Sequence, residues 1–112
     1  MAATVLKSNQ ITVSAQDQAA TILGLPSPGF VAVQVTGTLS ATITFEATVD
    51  GTNWVAASMV PIGQQPAYAT AVTTTTAVGI WNVPTAGLAG FRARCSAYSS
   101  GSPVVTIRYA AQ

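Results

Sequence analysis

The sequence predicts an all-β protein, a two-sheet antiparallel sandwich or jelly roll of about 7–8 strands. Three observations predict this class. Stretches of alternating apolar and polar residues recur at a spacing of roughly ten residues, Gly and Pro punctuate them, and no longer window carries a helical apolar stripe with a capping signal. The 112 residues suit one domain of this kind rather than two.

The N-terminal part of the chain fits the expected core less well than the rest. Residues 1–28 end in Leu25-Pro26-Ser27-Pro28 and contain short strand-like stretches at residues 11–14 and 19–23. We therefore expect residues 1–28 to form an N-terminal arm or peripheral strands, and residues 29–112 to form the β-sandwich domain.

The central part of the chain carries the strongest strand signals. Residues 30–36 are β-branched and almost continuously apolar, as expected of a central strand. A Gly-Thr-Leu-Ser turn leads into residues 41–50, where every odd position is apolar and every even position polar. This period of two predicts a half-buried strand. Asp50-Gly51 is then expected to close a tight turn into residues 54–59.

Two further alternating runs lie near the C-terminus, at residues 91–98 and 105–109, after a shorter expected strand at residues 78–83. Turn-forming residues at positions 99–103 (Ser-Ser-Gly-Ser-Pro) join them, so we expect the two runs to pair as a C-terminal hairpin. Residues 61–77, with four consecutive threonines, are expected to be a long loop of the kind that binds something or is disordered.

Charged residues are scarce, and this excludes several classes of function. Four Lys and Arg with three Asp and Glu make 6% of the chain, against about 25% in a typical soluble domain. The net charge of +1 argues against binding to nucleic acid or an anionic membrane. Weak repulsion between copies suggests a protein that exists inside an assembly.

Residue counts also argue against catalysis. The chain has no His and one Cys, which excludes Ser-His-Asp and Cys-His catalysis, zinc sites built on those residues, and an internal disulfide. Although 49% of the residues are hydrophobic, polar residues interrupt every apolar stretch, so no membrane span is expected. No secretory signal is expected either. We expect no enzyme activity, no cofactor and no metal.

The few carboxylates do not suggest an acid–base pair. Glu46 and Asp50 share the polar face of one expected strand, about 13 Å apart by strand rise, which is wider than the roughly 5–9.5 Å of a glycosidase pair. Asp50 with Gly51 and Asn53 resembles part of a calcium loop, but such loops need several carboxylates. Asp50 and Gly51 are therefore expected to be structural.

Three arginines are candidate partner contacts: Arg92, Arg94 and Arg108. They fall on the polar faces of two strands that are expected to pair. One interpretation is a positive patch for a partner's carboxylate or phosphate, because guanidinium groups suit such anions. The other is that they pair with Glu46 and Asp50 on the same sheet and cover apolar surface with their stems.

Aromatic side chains form the second set of candidates, a stacking platform for a sugar ring or a contact hot spot. The set consists of Trp54, Trp81, Tyr68, Tyr98 and Tyr109, of which Tyr68 and Trp81 are the candidate partner contacts. Trp54 follows a turn at a strand start and is expected to be structural. Cys95 lies on the apolar side of its run and is expected to be a small buried hydrophobe.

Several motifs, taken in order, resemble small β-sandwich proteins encoded among the structural genes of tailed bacteriophages. The resemblance covers about residues 29–109 and rests on Gly37-Thr38-Leu39-Ser40, Val49-Asp50-Gly51-Thr52-Asn53-Trp54, Gly79-Ile80-Trp81-Asn82-Val83, Gly87-Leu88-Ala89-Gly90-Phe91-Arg92-Ala93-Arg94 and Ser99-Ser100-Gly101. It implies a virion component, such as a capsid decoration (cement) protein or a fibre module.

As a decoration protein, the chain would be made in the host cytoplasm and bind the outer surface of the head. Its implied partners are the major capsid protein and copies of itself, with a trimer as one arrangement. Residues 1–28 and 61–77 are the expected contact segments. Repetition over a lattice would let weak contacts add.

A second resemblance suggests an alternative. Asp50-Gly51-Thr52-Asn53-Trp54, followed later by Phe91-Arg92-Ala93-Arg94, is similar to the discoidin-type, galactose-binding-like sandwich. It implies glycan binding by a carbohydrate-binding module on a tail or fibre, used for adhesion to the host surface.

Overall fold

The computed structural model describes residues 4–25, 29–62 and 71–111, and the regular secondary structure of these residues is entirely β. The strands are β1 (Thr4–Thr12), β2 (Ala19–Leu23), β3 (Gly29–Thr36), β4 (Leu39–Thr48), β5 (Val55–Ala56), β6 (Val60–Pro61), β7 (Thr74–Thr75), β8 (Gly79–Pro84), β9 (Gly90–Gly101) and β10 (Val104–Ala111). None of the described residues belongs to a helix that could cross a membrane.

The strands form two antiparallel sheets, which confirms the predicted fold class. The first sheet has the order β1-β10-β3-β8-β6, and the second has the order β2-β9-β4-β5 with β7 also paired to β4. The strand count exceeds the predicted one because β6 and β7 are two-residue pieces, too short to carry an alternation that a sequence can reveal. The strand expected at residues 54–59 is present but reduced to the two residues of β5.

The core lies between the two sheets and is made of alternate residues from each. The first sheet contributes Val31, Val33, Val35, Val105, Ile107 and Tyr109, and the second contributes Ile43, Phe45, Phe91, Ala93 and Cys95, each at most 1% exposed. Phe45 of β4 meets Trp81 of β8 across the core, with ring centroids 5.4 Å apart. The period of two in the sequence thus reports one buried face per sheet.

The predicted C-terminal hairpin is wrong. Strand β9 pairs with β2 and β4 in the second sheet, whereas β10 pairs with β1 and β3 in the first. The chain leaves β9 at Gly101, which has a φ of 93°, and Ser102 then donates its N–H to the carbonyl of Thr38. Both runs bury their apolar residues in one core from opposite sides, so alternation alone could not distinguish facing sheets from paired strands.

The N-terminal segment supplies one edge strand to each sheet. Strand β1 lies beside β10, and β2 lies beside β9. Val13, Ala20 and Ile22 are buried, so this segment also contributes to the core.

The expected loop at residues 61–77 is described only in part. Pro61 ends β6, and Val72 exchanges two backbone hydrogen bonds with Met59. Thr74 and Thr75 pair with β4. Residues 63–70 lie outside the described residues.

Candidate functional site

A cluster of charged side chains occupies the outer face of the second sheet. Glu46 on β4 lies opposite Arg92 on β9 in the strand register. Arg92 Nε donates to Glu46 Oε1 at 2.6 Å, and Arg94 Nε reaches the same oxygen at 3.1 Å. Arg94 Nη1 also donates to Asp17 at 2.8 Å. The sheet therefore places two guanidinium groups between two carboxylates.

Burial and charge act in opposite directions on Glu46, which is 8% exposed. Burial raises the pKa of this carboxyl. Hydrogen bonds from Arg94 and Arg92, together with the charges of both arginines, lower it by a larger amount, so the net pKa is below the ordinary value. The same contacts raise the pKa of Arg94. Arg92 also lies over the Trp54 ring, 4.4 Å from its centroid, in cation–π geometry.

The cluster is thus satisfied within the chain. Of the two interpretations of Arg92 and Arg94, the structure shows pairing with Glu46 rather than an open positive patch. The second acid partner is Asp17 and not Asp50. Asp17 was outside the expected cluster because its turn is brought beside β9 by long-range backbone pairing, with Asp17 N–H donating to the carbonyl of Cys95.

Asp50 organises the turn after β4. Its Oδ1 accepts hydrogen bonds from the backbone N–H groups of Thr52 and Asn53 and from the Thr48 hydroxyl, and its Oδ2 accepts from the Asn53 side chain. These donors, led by the Asn53 N–H, hold the pKa of Asp50 well below its ordinary range. Gly51 has a φ of 81°, which favours glycine at this place in the turn.

Arg108 lies apart from the other arginines, on the outer face of the first sheet. The expectation that all three share one face is wrong, because β10 and β9 belong to different sheets. Arg108 stands between Ser8 on β1 and Ala32 on β3 in the register. Among the described residues no carboxylate forms an ion pair with it. It borders an open depression of about 540 Å³, which is lined by Ser8, Asn9, Gln10, Thr106 and Arg108.

The other half of this outer face is apolar. Ile80 of β8, Val60 of β6 and Ile62 just beyond β6 are 41%, 45% and 44% exposed. Val60 pairs with Asn82, and Ile62 donates its N–H to the Ile80 carbonyl. The polar and apolar halves together are called the Arg108 face: Ser8, Thr106, Arg108, Ile80, Val60 and Ile62.

The aromatic platform is not assembled among the described residues. Trp81, a candidate partner contact, is 3% exposed and packs on Phe45 in the core, so it is not available to a partner. Tyr109 is buried as well. The Tyr98 hydroxyl donates to the Gly101 carbonyl at the end of β9. Tyr68 lies outside the described residues.

Cys95 is fully buried, and its thiol lies 3.3 Å from the Ala97 carbonyl. Burial raises the pKa of this thiol, which disfavours the reactive thiolate. Within the described part of the chain, no group of three or more His, Cys, Asp or Glu side chains could hold a metal ion.

Sequence reasoning missed the apolar half of the Arg108 face. Ile80 and Asn82 alternate with the buried Trp81, so the run at residues 79–84 did carry a signal for an outward Ile80. Val60 and Ile62 carried no such signal, because β6 is two residues long and Ile62 lies just beyond it. Placing Ser8 beside Arg108 required the order of the strands in the sheet.

Comparison with known proteins gives a likeness of fold. No protein-family model matches the sequence, and no curated protein matches it significantly. The solved structure of the SPBc2 prophage-derived protein YomS matches with a TM-score of 0.67 and 14% identity, over 92% of this chain and 93% of that one. A protein of Bacillus endospore appendages, described as a family of disulfide-linked pili, aligns with 16% identity over 100% of this chain and 93% of that one, but with a TM-score of 0.37, and we draw nothing from it. The chain therefore shares the fold of the prophage-derived protein.

Proposed function

We propose that the chain is a non-enzymatic structural protein of a bacteriophage virion: a capsid decoration (cement) protein that binds the major capsid protein on the outer surface of the head. The observation that carries this proposal is the contrast between the two outer sheet faces. One face pairs its two arginines with two carboxylates, whereas the Arg108 face leaves a cation and three large apolar side chains exposed.

The chemistry of the described residues supports docking rather than reaction. Glu46 and Asp17 are bound by arginines, and Asp50 is bound by its own turn. A carboxylate held in this way is a poor general base, because its pKa is kept low by donors that it would have to release. The thiol of Cys95 is buried.

The setting in a phage is supported by the fold shared with a prophage-derived protein and by the ordered motifs of the sequence. A decoration protein occupies many equivalent positions on a shell. Weak contacts made by each copy then add through effective concentration, and a surface with few charges imposes little repulsion between neighbouring copies. Copies of the chain itself are accordingly proposed as further partners.

Add-back to shells that lack the chain tests this proposal. The gene for the chain is deleted from the phage genome that carries it, and particles are produced from the deleted genome. These particles are mixed with purified chain and sedimented. We expect saturable co-sedimentation at many copies per particle, and no co-sedimentation with heads of an unrelated phage. Absence of binding to the cognate particles at any concentration would overturn the proposal.

A further inference from the structure

We infer that the Arg108 face docks on a protein different from this chain, which supplies a carboxylate to Arg108 and apolar side chains to Ile80, Val60 and Ile62. This inference rests on the proposed function and deepens it, since it names the surface that meets the shell and the chemistry of its partner.

The polar half of the face is built to receive an acidic side chain. Arg108 is exposed at the edge of the open depression. Two hydroxyls border the same depression, those of Ser8 and Thr106, and Thr106 Oγ1 already accepts a hydrogen bond from Gln10 Nε2 at 2.7 Å. The Thr106 hydroxyl hydrogen is therefore directed away from Gln10. A guanidinium fork with hydroxyl donors beside it suits the two oxygens of a carboxylate.

The apolar half argues for a protein rather than a small anion. Ile80, Val60 and Ile62 are each more than 40% exposed, and the pairing of β6 with β8 brings them together. Strand spacing places this group about 10–15 Å from Arg108, across the intervening strand β3. A free anion at Arg108 would leave the three apolar side chains exposed. A protein surface that spans the sheet would bury these side chains and gain free energy from their removal from water.

Charge and area both argue against a second copy of the chain as the occupant. The three side-chain carboxylates of the chain already accept hydrogen bonds from Arg92, Arg94 or the Asp50 turn, so one offered by a second copy would have to share or give up those bonds to pair with Arg108. A two-fold contact centred on this face would set Arg108 of each copy against the apolar half of the other, where Ile80, Val60 and Ile62 supply no carboxylate. Five strands and three rows of side chains span about 20 Å by 20 Å, roughly half of the 800 Å² that each partner buries in a standard interface. This area is too small for a stable dimer in solution, whereas the contacts of many copies bound to one shell add.

A zero-length crosslink tests the carboxylate directly. Lys7 is the one lysine in the chain, so Arg108→Lys places a second lysine amine at the proposed contact. A water-soluble carbodiimide activates a carboxylate, the lysine amine attacks it, an amide bond forms and a urea is released. We expect decorated particles of Arg108→Lys to give a crosslinked peptide that joins residue 108 to an Asp or Glu of the shell protein.

Matched variants test the contribution of each half to binding. Arg108→Gln and Ser99→Glu both lower the net charge by one, but Ser99 is exposed on β9 in the other sheet. We expect Arg108→Gln and Ile80→Ser each to weaken binding to gene-deleted particles about tenfold or more, and Ser99→Glu to bind as the wild type does. Circular dichroism and the unfolding midpoint establish that each variant is folded.

The outcomes separate this inference from the proposed function. If wild-type chain does not bind the particles, the proposed function is overturned, and the inference with it. If the wild type binds and both Arg108→Gln and Ile80→Ser bind as tightly as the wild type, the inference is overturned and the proposed function stands. A crosslink from residue 108 to Asp17, Glu46 or Asp50 of another copy would overturn the choice of partner.

Discussion

Arg92 and Glu46 lie opposite each other on paired strands, with Arg92 Nε 2.6 Å from Glu46 Oε1. Arg94 reaches the same oxygen from two residues further along β9. One buried carboxylate therefore holds two cations against the second sheet. Arg108, on the opposite outer face, has no carboxylate partner among the described residues. The two outer faces therefore differ in whether their arginines are already paired.

Removal of the charge on Glu46 should destabilise the fold. Glu46→Gln leaves two guanidinium groups without their shared anion, and we expect a loss of about 2 kcal/mol in the free energy of unfolding, since buried hydrogen bonds to charged groups are the strong ones. Urea unfolding measures this value. Arg108→Gln is the control and should change it by less than about 0.5 kcal/mol. Equal stabilities of the two variants would show that the cluster does not stabilise the sheet.

Stability should fall at acid pH. The pKa of Glu46 is below its ordinary value of 4.5 in the folded chain, and the pKa of Asp50 is lowered as well. A lowered pKa contributes stability that is fully present above the unfolded value and is lost as the pH falls through the folded value.

Urea midpoints at about pH 7, 5 and 3 test this dependence. We expect the wild type to have similar midpoints at the first two and a lower one at the third. Glu46→Gln should lose less between pH 5 and 3, because it lacks one of the two groups. A midpoint that rises on acidification would contradict the lowered pKa values.

Two glycines should respond unequally to replacement by alanine. Gly101 and Gly51 both have positive φ, but a Cβ at Gly101 would lie 2.5 Å from the Thr38 carbonyl oxygen, whereas a Cβ at Gly51 meets nothing within 4 Å. We expect Gly51→Ala to destabilise by about 1 kcal/mol, from backbone strain alone, and Gly101→Ala to destabilise by clearly more. Thermal unfolding measures both, and the reverse order would contradict the crossing between the sheets at Gly101.

The thiol of Cys95 should be protected in the native protein. It is buried, and its pKa is raised, so we expect a disulfide reagent such as Ellman's reagent to react at least about a hundredfold more slowly with folded than with unfolded chain. The reading is unambiguous because the chain has one Cys. Equal rates in buffer and in guanidinium chloride would contradict the packing of β9.

The sequence was informative where one residue pattern had one structural solution. The alternation at residues 41–50 led to β4, and the Asp50-Gly51 turn was placed correctly before β5. The pairing of β9 and β10 was wrong because two alternating strands can bury the same residues either side by side or face to face. That error moved Arg108 to the wrong sheet.

The candidate site was predictable only where its residues lie on strands that the sequence placed in one sheet. Arg92, Arg94 and Glu46 could be grouped because β4 and β9 do pair, while Asp17 and the apolar half of the Arg108 face depend on contacts between residues distant in the chain. Trp81 was a candidate partner contact, but its neighbours Ile80 and Asn82 face outward and the indole fills the core.

The number of copies of the chain in each purified particle tests the central claim most directly. Quantitative mass spectrometry of particles produced by the genome that encodes the chain, calibrated against their major capsid protein, gives this number. We expect a shell decoration to be present at on the order of hundreds of copies, enough for weak contacts to add over the lattice. A chain found in infected cells but absent from purified particles would contradict the account.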